Sequence, residues 1–176
     1  GGWRLGYFLI PESLNNLKQT IKVLASETFS SVSAPIQYAA ISAYENNHND
    51  FIDKSRKILK AVGYYVHKNL KSNKININKP EGGFYLMPEF ENKKFNTSSE
   101  MCNNLLNETG VTLLPGSDFG FEKEKMFARL SFTDFKGQEF MDNIKLNEKI
   151  EDHMVIKYAP KIKEGVDRLK KWSESI

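Results

Sequence analysis

A change of hydrophobic period in the middle of the chain constrains its fold more than any other feature. From Phe51 to about Leu70, apolar residues recur every three or four positions, which predicts one long helix with a buried face. Beyond it, Ile75 and Ile77 alternate with polar residues, and Phe84-Tyr85-Leu86-Met87 is typical of a strand. Since both periods occur in one chain, we expect helices packed on a sheet.

Two helices are expected before the long one. The first begins at Pro11-Glu12-Ser13, where proline suits a first helical turn, and the second runs from Ile36 to about Asn46. Between them, residues 29–35 form a loop. Apolar residues share one face of the first helix, and we expect that face to be buried. They are Leu14, Leu17, Ile21 and Leu24.

Further helices are expected after the change of period. Thr97-Ser98-Ser99-Glu100 is a capping box, which predicts a helix that begins there and ends at Gly110. The lysine- and glutamate-rich stretch from Lys136 to Tyr158 suggests two short helices. Pro160 begins the last helix.

Short strands are expected between these helices. They lie at Val111–Leu114 and Phe127–Phe132, with a turn at Pro115-Gly116 after the first of them. Short strands with helices packed on one side favour a small α+β domain.

The charge pattern gives no sign of a nucleic-acid partner. The formal net charge is +3, and the lysines responsible are spread along the chain instead of forming one basic patch. No apolar run reaches the roughly eighteen residues that a membrane span needs. We therefore expect neither nucleic acid nor a membrane as a partner.

The cysteine and histidine content argues against two kinds of site. Cys102 is the only cysteine, which excludes an internal disulfide and a cysteine-based zinc site and fits a reducing, cytoplasmic compartment. Its helical context, Met101-Cys102-Asn103-Asn104, is typical of a buried thiol and not of a nucleophile. His48, His67 and His153 have no spacing that suits a metal ion, so no metal site is expected.

Arginine occurs in two contexts that suggest anion binding. Arg4 lies in Gly1-Gly2-Trp3-Arg4-Leu5-Gly6, where small neighbours let an anion such as phosphate approach and accept two parallel hydrogen bonds. The alternative is an incidental arginine before a buried edge strand at Tyr7 to Ile10. Arg129 lies in the otherwise apolar strand Phe127–Phe132, where a charge is costly unless it meets an anion. That anion is either an internal carboxylate or the carboxylate of a ligand.

These two arginines belong to a longer series of motifs. The motifs are Gly2-Trp3-Arg4-Leu5-Gly6-Tyr7, Ser33-Ala34-Pro35-Ile36-Gln37-Tyr38-Ala39-Ala40, Pro80-Glu81-Gly82-Gly83-Phe84-Tyr85, Gly110-Val111-Thr112-Leu113-Leu114-Pro115-Gly116-Ser117-Asp118-Phe119-Gly120 and Arg129-Leu130-Ser131-Phe132. In this order and spacing they resemble the C-terminal part of the class I and II aminotransferases, pyridoxal-phosphate enzymes of fold type I in the aspartate aminotransferase superfamily. The resemblance covers nearly the whole chain.

The resemblance implies an α+β fold, the small C-terminal domain of such an enzyme. Its short, mainly antiparallel sheet would carry packed helices and follow a long interdomain helix. Residues 1–32 would be a remnant of the large α/β domain that binds the cofactor, and residues 33–176 the interdomain helices and the small domain. We expect Tyr7 to Ile10, in that remnant, to be disordered or to pair with another chain.

The resemblance also assigns roles to individual residues. Arg4 resembles the arginine that binds the phosphate of pyridoxal 5'-phosphate, and Arg129 the one that binds the substrate α-carboxylate. Ser33 lies in a loop that approaches the neighbouring subunit's site in relatives, which suggests a cofactor contact in a homodimer; a helix N-cap is the alternative. The Schiff-base lysine is expected a few residues before Gly2. No catalytic residue is therefore expected in this chain, which should be inactive and bind no cofactor by itself.

The activity implied for the parent protein is transfer of an amino group between an amino acid and a 2-oxo acid. Lyases and synthases of the same superfamily share the arginine motifs and are one alternative. A non-catalytic dimerisation module that has the small-domain fold is another. Pro80 to Tyr85 and Pro115-Gly116-Ser117 suggest structural or pocket-lining roles instead of catalytic ones.

Overall fold

The computed structural model describes residues 2–29 and 31–176, which divide into two compact units. The first unit ends at Asn49 and the second begins at Asp50. Gly1 of the opening motif and Ser30 of the expected 29–35 loop lie outside the described residues. The boundary expected between residues 32 and 33 concerns the domains of a longer protein, and it stays a prediction.

Helices form most of the first unit. After the 3-10 turn Glu12–Leu14, helix α1 spans Asn15–Thr28, and helix α2 spans Ala34–Glu45 with Pro35 in its first turn. The two helices expected before the long one are confirmed, with ends close to those predicted.

The buried face expected on α1 is not found. None of its side chains is buried, and Leu17 and Leu24 are 43% and 61% exposed. An apolar face contributes stability only when another surface excludes water from it. None of the described residues up to Asn49 is buried, so this unit provides no such cover. The helical period correctly predicts the helix, but it cannot show whether a covering surface is present.

The segment from Tyr7 to Ile10 is not a strand in the described part of the chain. It pairs with none of the described strands, and Tyr7, Phe8 and Leu9 are 67%, 68% and 85% exposed. The Tyr7 ring meets the Tyr44 ring edge-on, with centroids 5.3 Å apart. The buried edge strand considered above is therefore wrong, since a strand requires a neighbour. Disorder or pairing with another chain stays a prediction.

Helix α3, Asn49–Leu70, confirms the long helix. Phe51, in its first turn, is 60% exposed, and burial begins further along the helix. Gly63 lets α3 lie close to the sheet, because a Cβ at this position would be 3.0 Å from Phe132 Cζ. The buried residues of α3 recur with a helical period. They are Ile58, Val62, Gly63, Tyr65, Val66 and Leu70.

The described strands form a two-stranded and a three-stranded sheet, both antiparallel. In the first, β1 (Ile75–Asn76) pairs with β3 (Glu89–Phe90). In the second, β5 (Ala128–Ser131) lies between β2 (Tyr85–Leu86) and β4 (Leu114–Pro115). The expected α+β fold with short antiparallel strands is confirmed.

Strand β4 begins later than predicted. The strand expected at Val111–Leu114 occupies Leu114–Pro115 instead, where its residues pair with Arg129 and Ala128. Proline is tolerated because β4 is an edge strand, which does not need every backbone N–H for pairing. The predicted turn therefore begins at Gly116, after the proline and not with it.

The helices that follow α3 enclose the core of the second unit. The last helix, α7 (Pro160–Ser173), buries Ile162, Val166 and Leu169, as its periodicity predicts. The two short helices expected between Lys136 and Tyr158 are also confirmed. The helices are α4 (Ser98–Thr109), α5 (Gly137–Asp142), α6 (Asp152–Tyr158) and α7 (Pro160–Ser173). Within the described residues, no helix combines the length and apolar character needed to cross a membrane.

The capping box at the start of α4 is confirmed. Thr97 Oγ1 accepts a hydrogen bond from the Glu100 amide at 3.2 Å, and Glu100 Oε2 accepts one from the Asn96 amide at 3.0 Å. The carboxylate therefore reaches one residue further back than a capping box usually does. The helix ends at Gly110, which has a φ of 71°. Its backbone N–H donates a hydrogen bond to the Leu106 carbonyl, and this bond closes the last turn.

We predict that Thr97→Ala lowers the free energy of unfolding by about 1 kcal/mol, because the amide at the start of α4 loses its side-chain acceptor. Urea denaturation measures this. Thr112→Ala is the matched control, since the exposed Thr112 hydroxyl has no hydrogen bond within the described residues. Equal losses in the two variants would show that the cap does not stabilise α4.

Candidate functional site

The three-stranded sheet has an outer face, defined by Tyr85, Leu114, Arg129 and Ser131, that points away from the core. Paired residues of an antiparallel sheet project to the same side, and the register pairs Tyr85 with Ser131 and Leu114 with Arg129. Side chains alternate along β5, with Ala128 and Leu130 buried and Arg129 and Ser131 outward. Burial of the apolar residues of β5 thus places Arg129 on the outer face.

The guanidinium of Arg129 lies against two aromatic rings. Its Cζ is 4.4 Å from the centroid of the Tyr85 ring and 4.4 Å from that of the Phe119 ring. Tyr85 belongs to β2, on one side of β5, and Phe119 ends the 3-10 helix Gly116–Phe119 that follows β4, on the other side. Both contacts are in the range of cation–π attraction.

No carboxylate of the described chain pairs with Arg129, and its guanidinium has no hydrogen bond with a described residue. Among the described residues, the internal carboxylate that the sequence left open as the partner of Arg129 is therefore not found. An arginine side chain carries five N–H donors in one plane, and aromatic rings contact the faces of that plane. The donors of Arg129 are chemically suited to a carboxylate from outside the chain.

A close backbone approach fixes the position of Phe119. The Gly116 amide donates to the Phe127 carbonyl at 2.7 Å, and a Cβ on Gly116 would be 2.7 Å from Phe127 Cβ. Only glycine fits this position without a shift of the backbone. The Phe121 ring contacts the Phe127 ring in a tilted arrangement, with centroids 4.5 Å apart. The 3-10 helix is therefore attached to β5 both before and after Phe119.

Arg4 and Ser33 lie in the first unit, whereas Arg129 lies in the second. Arg4 is exposed and has a φ of 59°, a conformation that costs an arginine about 1–2 kcal/mol. A Cβ on neighbouring Gly2 or Gly6 would meet nothing within 4 Å, so the described chain leaves space around this motif.

Ser33 is the N-cap residue of α2, as the alternative interpretation of the sequence suggested. Its carbonyl accepts hydrogen bonds from the Ile36 and Gln37 amides at 3.0 and 3.1 Å. Its exposed hydroxyl, however, makes no capping bond. The side chain is therefore not needed to close the first turn of α2.

Cys102 is a buried thiol, as predicted. It is 5% exposed, and burial, with a smaller contribution from the Asp118 charge, raises the pKa of the thiol to about 11. A thiol that stays protonated near neutral pH is a poor nucleophile. Nor do the described residues bring together three or more histidine, cysteine or acidic side chains that could hold a metal ion.

A separate groove of about 410 Å³ lies between α7 and the segment Gly110–Leu113. The charged residues on its rim pair with each other, Lys161 with Asp134 at 3.3 Å and Arg168 with Glu164. Because these charges are already satisfied, the groove is a weaker candidate site than the outer face of the sheet.

Comparison with known families decides what kind of chain this is. The profile of the family "Aminotransferase class I and II" matches residues 1–144. The chain belongs to this family. The resemblance seen in the sequence motifs is thereby confirmed.

Individual aminotransferases match over a similar length of the chain. The chain is 32% identical over 136 residues to the aspartate aminotransferase of Sulfolobus acidocaldarius, with 74% of this chain and 32% of that protein covered. It is 34% identical over 132 residues to the probable N-acetyl-LL-diaminopimelate aminotransferase of Bacillus subtilis, again with 74% and 32% covered. The chain therefore spans about a third of the length of the curated relatives that it matches.

Solved aminotransferase structures share the fold. The alanine aminotransferase of Pyrococcus furiosus superposes with a TM-score of 0.71 at 27% identity, covering 99% of this chain and 39% of that one. The aspartate aminotransferase of Thermotoga maritima gives a TM-score of 0.63 at 26% identity, covering 97% and 36%. These matches confirm the fold class expected for part of a fold type I enzyme.

Tyr85 and Phe119 both contact Arg129, and the sequence did not predict these two contacts. Strand alternation places Tyr85 on the same face as Arg129, but only once the register of β2 against β5 is known. Phe119 lies in the motif from Gly110 to Gly120, but no sequence signal predicts its contact with Arg129, because that contact depends on the 3-10 helix and on the approach of Gly116 to Phe127.

We predict that iodoacetamide labels Cys102 very slowly in the folded chain at pH 8, where a thiol of pKa about 11 is about one part in a thousand thiolate. An acid whose pKa is raised stays neutral to higher pH, so the labelling rate should rise as the pH approaches 11. The same chain in denaturant is the control and should react at the rate of a free thiol. Rapid labelling of the native chain would contradict the burial of this residue.

We predict that Gly116→Ala lowers the free energy of unfolding by about 1–3 kcal/mol, because the new methyl group overlaps Phe127. Gly82→Ala is the control, since a Cβ there meets nothing within 4 Å and should change stability by less than about 0.5 kcal/mol. Urea unfolding of both variants tests the difference. A loss at Gly116 no greater than at Gly82 would mean that the 3-10 helix is not tightly attached to β5.

Proposed function

We propose that the parent protein of this chain is an aminotransferase that moves an amino group between an amino acid and a 2-oxo acid. In this proposal, the outer face of the three-stranded sheet supplies Arg129 as the binding group for the substrate α-carboxylate. Membership of the class I and II family supports the reaction class.

One observation carries the role of Arg129: a guanidinium that is held by two rings and paired with no carboxylate of the described chain. Amino acids and 2-oxo acids have different groups at the α-carbon but the same carboxylate beside it. A fixed cation that binds this shared group places each substrate in turn in the same position for transfer of the amino group. Two parallel hydrogen bonds from a planar guanidinium also fix the direction of the carboxylate.

The residues of the first unit fit the phosphate of pyridoxal 5'-phosphate in their chemistry. Arg4 offers a permanently charged donor set beside glycines with space around them, and Ser33 offers a hydroxyl not used by its own helix. In this proposal both residues bind the phosphate, with Ser33 reaching the site of the partner in a homodimer. When bound, the cofactor supplies an electron sink for the substrate's α-carbon.

The proposal also assigns the two parts of the chain to different domains of the parent protein. Residues 1–32 belong to the large cofactor-binding domain, and residues 33–176 form the interdomain helices and the small domain. The covalent lysine and the groups around the cofactor ring are supplied from outside this chain, so the isolated chain is inactive. A reducing, cytoplasmic location is consistent with the free, buried Cys102.

We expect the full-length parent protein to transfer labelled nitrogen from an amino acid to a 2-oxo acid, and the 176-residue chain alone to transfer none. Arg129→Lys in the parent should lower kcat/KM by about 10- to 100-fold, because lysine cannot form two parallel bonds to the carboxylate. The control is Arg56→Lys, an exposed arginine of α3 that pairs with Asp53 at 3.8 Å.

Other outcomes would replace the proposal. Ammonia release without a 2-oxo acid would indicate a lyase, and absence of any reaction in the parent would favour a non-catalytic module. Transfer by the isolated chain would contradict its inactivity. Equal effects of the Arg129 and Arg56 substitutions would remove Arg129 from the binding site.

A further inference from the structure

We propose that Tyr85 and Phe119 are positioning residues that hold Arg129 in a single orientation, with the edge that carries its N–H donors free for the substrate carboxylate. This inference rests on the proposed function of Arg129, and it assigns a task to two rings that do not themselves bind the carboxylate.

An arginine on an exposed sheet face needs something to hold it. Its side chain carries about 2 kcal/mol of rotamer entropy, part of which is lost when a ligand must select one conformation. A carboxylate of the protein would hold the guanidinium, but it would occupy the same N–H donors that the substrate requires. Arg168 shows this outcome, since it donates to Glu164 and to the Thr109 carbonyl.

Aromatic rings hold the guanidinium without using its donors. A ring contacts the face of the planar group, whereas a carboxylate binds at its edge, so both interactions can form at once. The two 4.4 Å contacts of Arg129 come from opposite sides of β5. Two rings this close restrict the space in which the guanidinium can move, and its donors remain unpaired within the described chain.

The two rings are themselves fixed by the fold. Tyr85 belongs to β2, where its neighbour Leu86 is buried and pairs with Leu130 of β5. The Tyr85 ring also contacts the Phe84 ring, with centroids 4.3 Å apart. Phe119 is positioned by the approach of Gly116 to β5. The rings are nevertheless 42% and 40% exposed, so they leave the outer face accessible.

Kinetics of the parent protein test this inference. Phe119→Leu and Tyr85→Leu should each raise KM for the amino acid and the 2-oxo acid by about 5- to 30-fold, with kcat changed by less than about twofold. Phe51→Leu is the control: Phe51 is 60% exposed in the first turn of α3, and its ring has no contact with Arg129 or Phe119 within the described chain. Phe119→Tyr, which keeps a ring over the guanidinium, should recover most of the lost affinity.

A double-mutant comparison separates orientation of Arg129 from general packing. In an Arg129→Lys background, Phe119→Leu should raise KM by less than about threefold, because an ammonium has no plane for a ring to orient. Equal effects of Phe119→Leu in the two backgrounds would overturn the inference. So would equal effects of Phe119→Leu and Phe51→Leu.

A binding measurement keeps this inference distinct from the proposed function. The binding of acetate can be followed by the Nε–Hε NMR signal of Arg129 in parent protein with isotope-labelled arginine, and loss of this signal in Arg129→Lys assigns it. We expect the signal to shift with added acetate until the site is saturated. Phe119→Leu should weaken acetate binding about 5- to 30-fold. Acetate binding with no amino transfer would refute the aminotransferase proposal alone. Transfer that depends on Arg129, with acetate binding unchanged in Phe119→Leu, would refute the positioning role alone.

Discussion

Burial of the inner face of β5 is the constraint on which the second unit and its candidate site both depend. Ala128, Leu130 and Phe132 are 0%, 6% and 1% exposed beneath the helices. Full burial of a leucine or phenylalanine side chain contributes about 1.5–3 kcal/mol. Because side chains alternate along a strand, the same burial places Arg129 and Ser131 on the outer face. The position of the arginine is thus a consequence of core formation.

The surroundings of the arginines separate structural roles from a binding role. Arg56 pairs with Asp53 on the surface of α3, and Arg168 pairs with Glu164 while donating to the Thr109 carbonyl. Such partners satisfy the charge and occupy the donors. Arg129 has ring contacts in place of a carboxylate among the described residues. Its charge is stabilised less than that of a buried ion pair, but its hydrogen-bonding capacity is kept for a ligand.

The two units differ in how their apolar residues are used. In the second unit, α3 and α7 bury the residues that their helical periods select, such as Val62, Leu70 and Val166. In the first unit, α1 has the same kind of period, yet Leu24 is 61% exposed. A chain that spans about a third of its relatives' length presents these side chains without the surface that an apolar face requires.

Local chemistry explains which parts of the structure the sequence could predict. The helix from Ser98 begins at a Thr97–Glu100 cap and ends at Gly110, and both signals act within one helical turn. The strand near Leu114 begins later in the chain than predicted, because its ends depend on pairing with Arg129, which no local signal specifies. Burial of α1 was predicted wrongly because it depends on a second surface and not on the period itself.

The sequence by itself determined the order of the helices and of most strands beyond α3, the family, and Arg4 and Arg129 as candidate anion-binding residues. The elements and the two arginines follow from spacing, capping and the chemistry of single side chains, and the family follows from the resemblance of five motifs to it. Only the tertiary structure decided what surrounds Arg129. Tyr85 and Phe119 are not neighbours of Arg129 along the chain, and they reach it because β2 and β4 pair with opposite edges of β5. Contacts across a sheet depend on register and turn geometry, which side-chain periodicity alone does not encode.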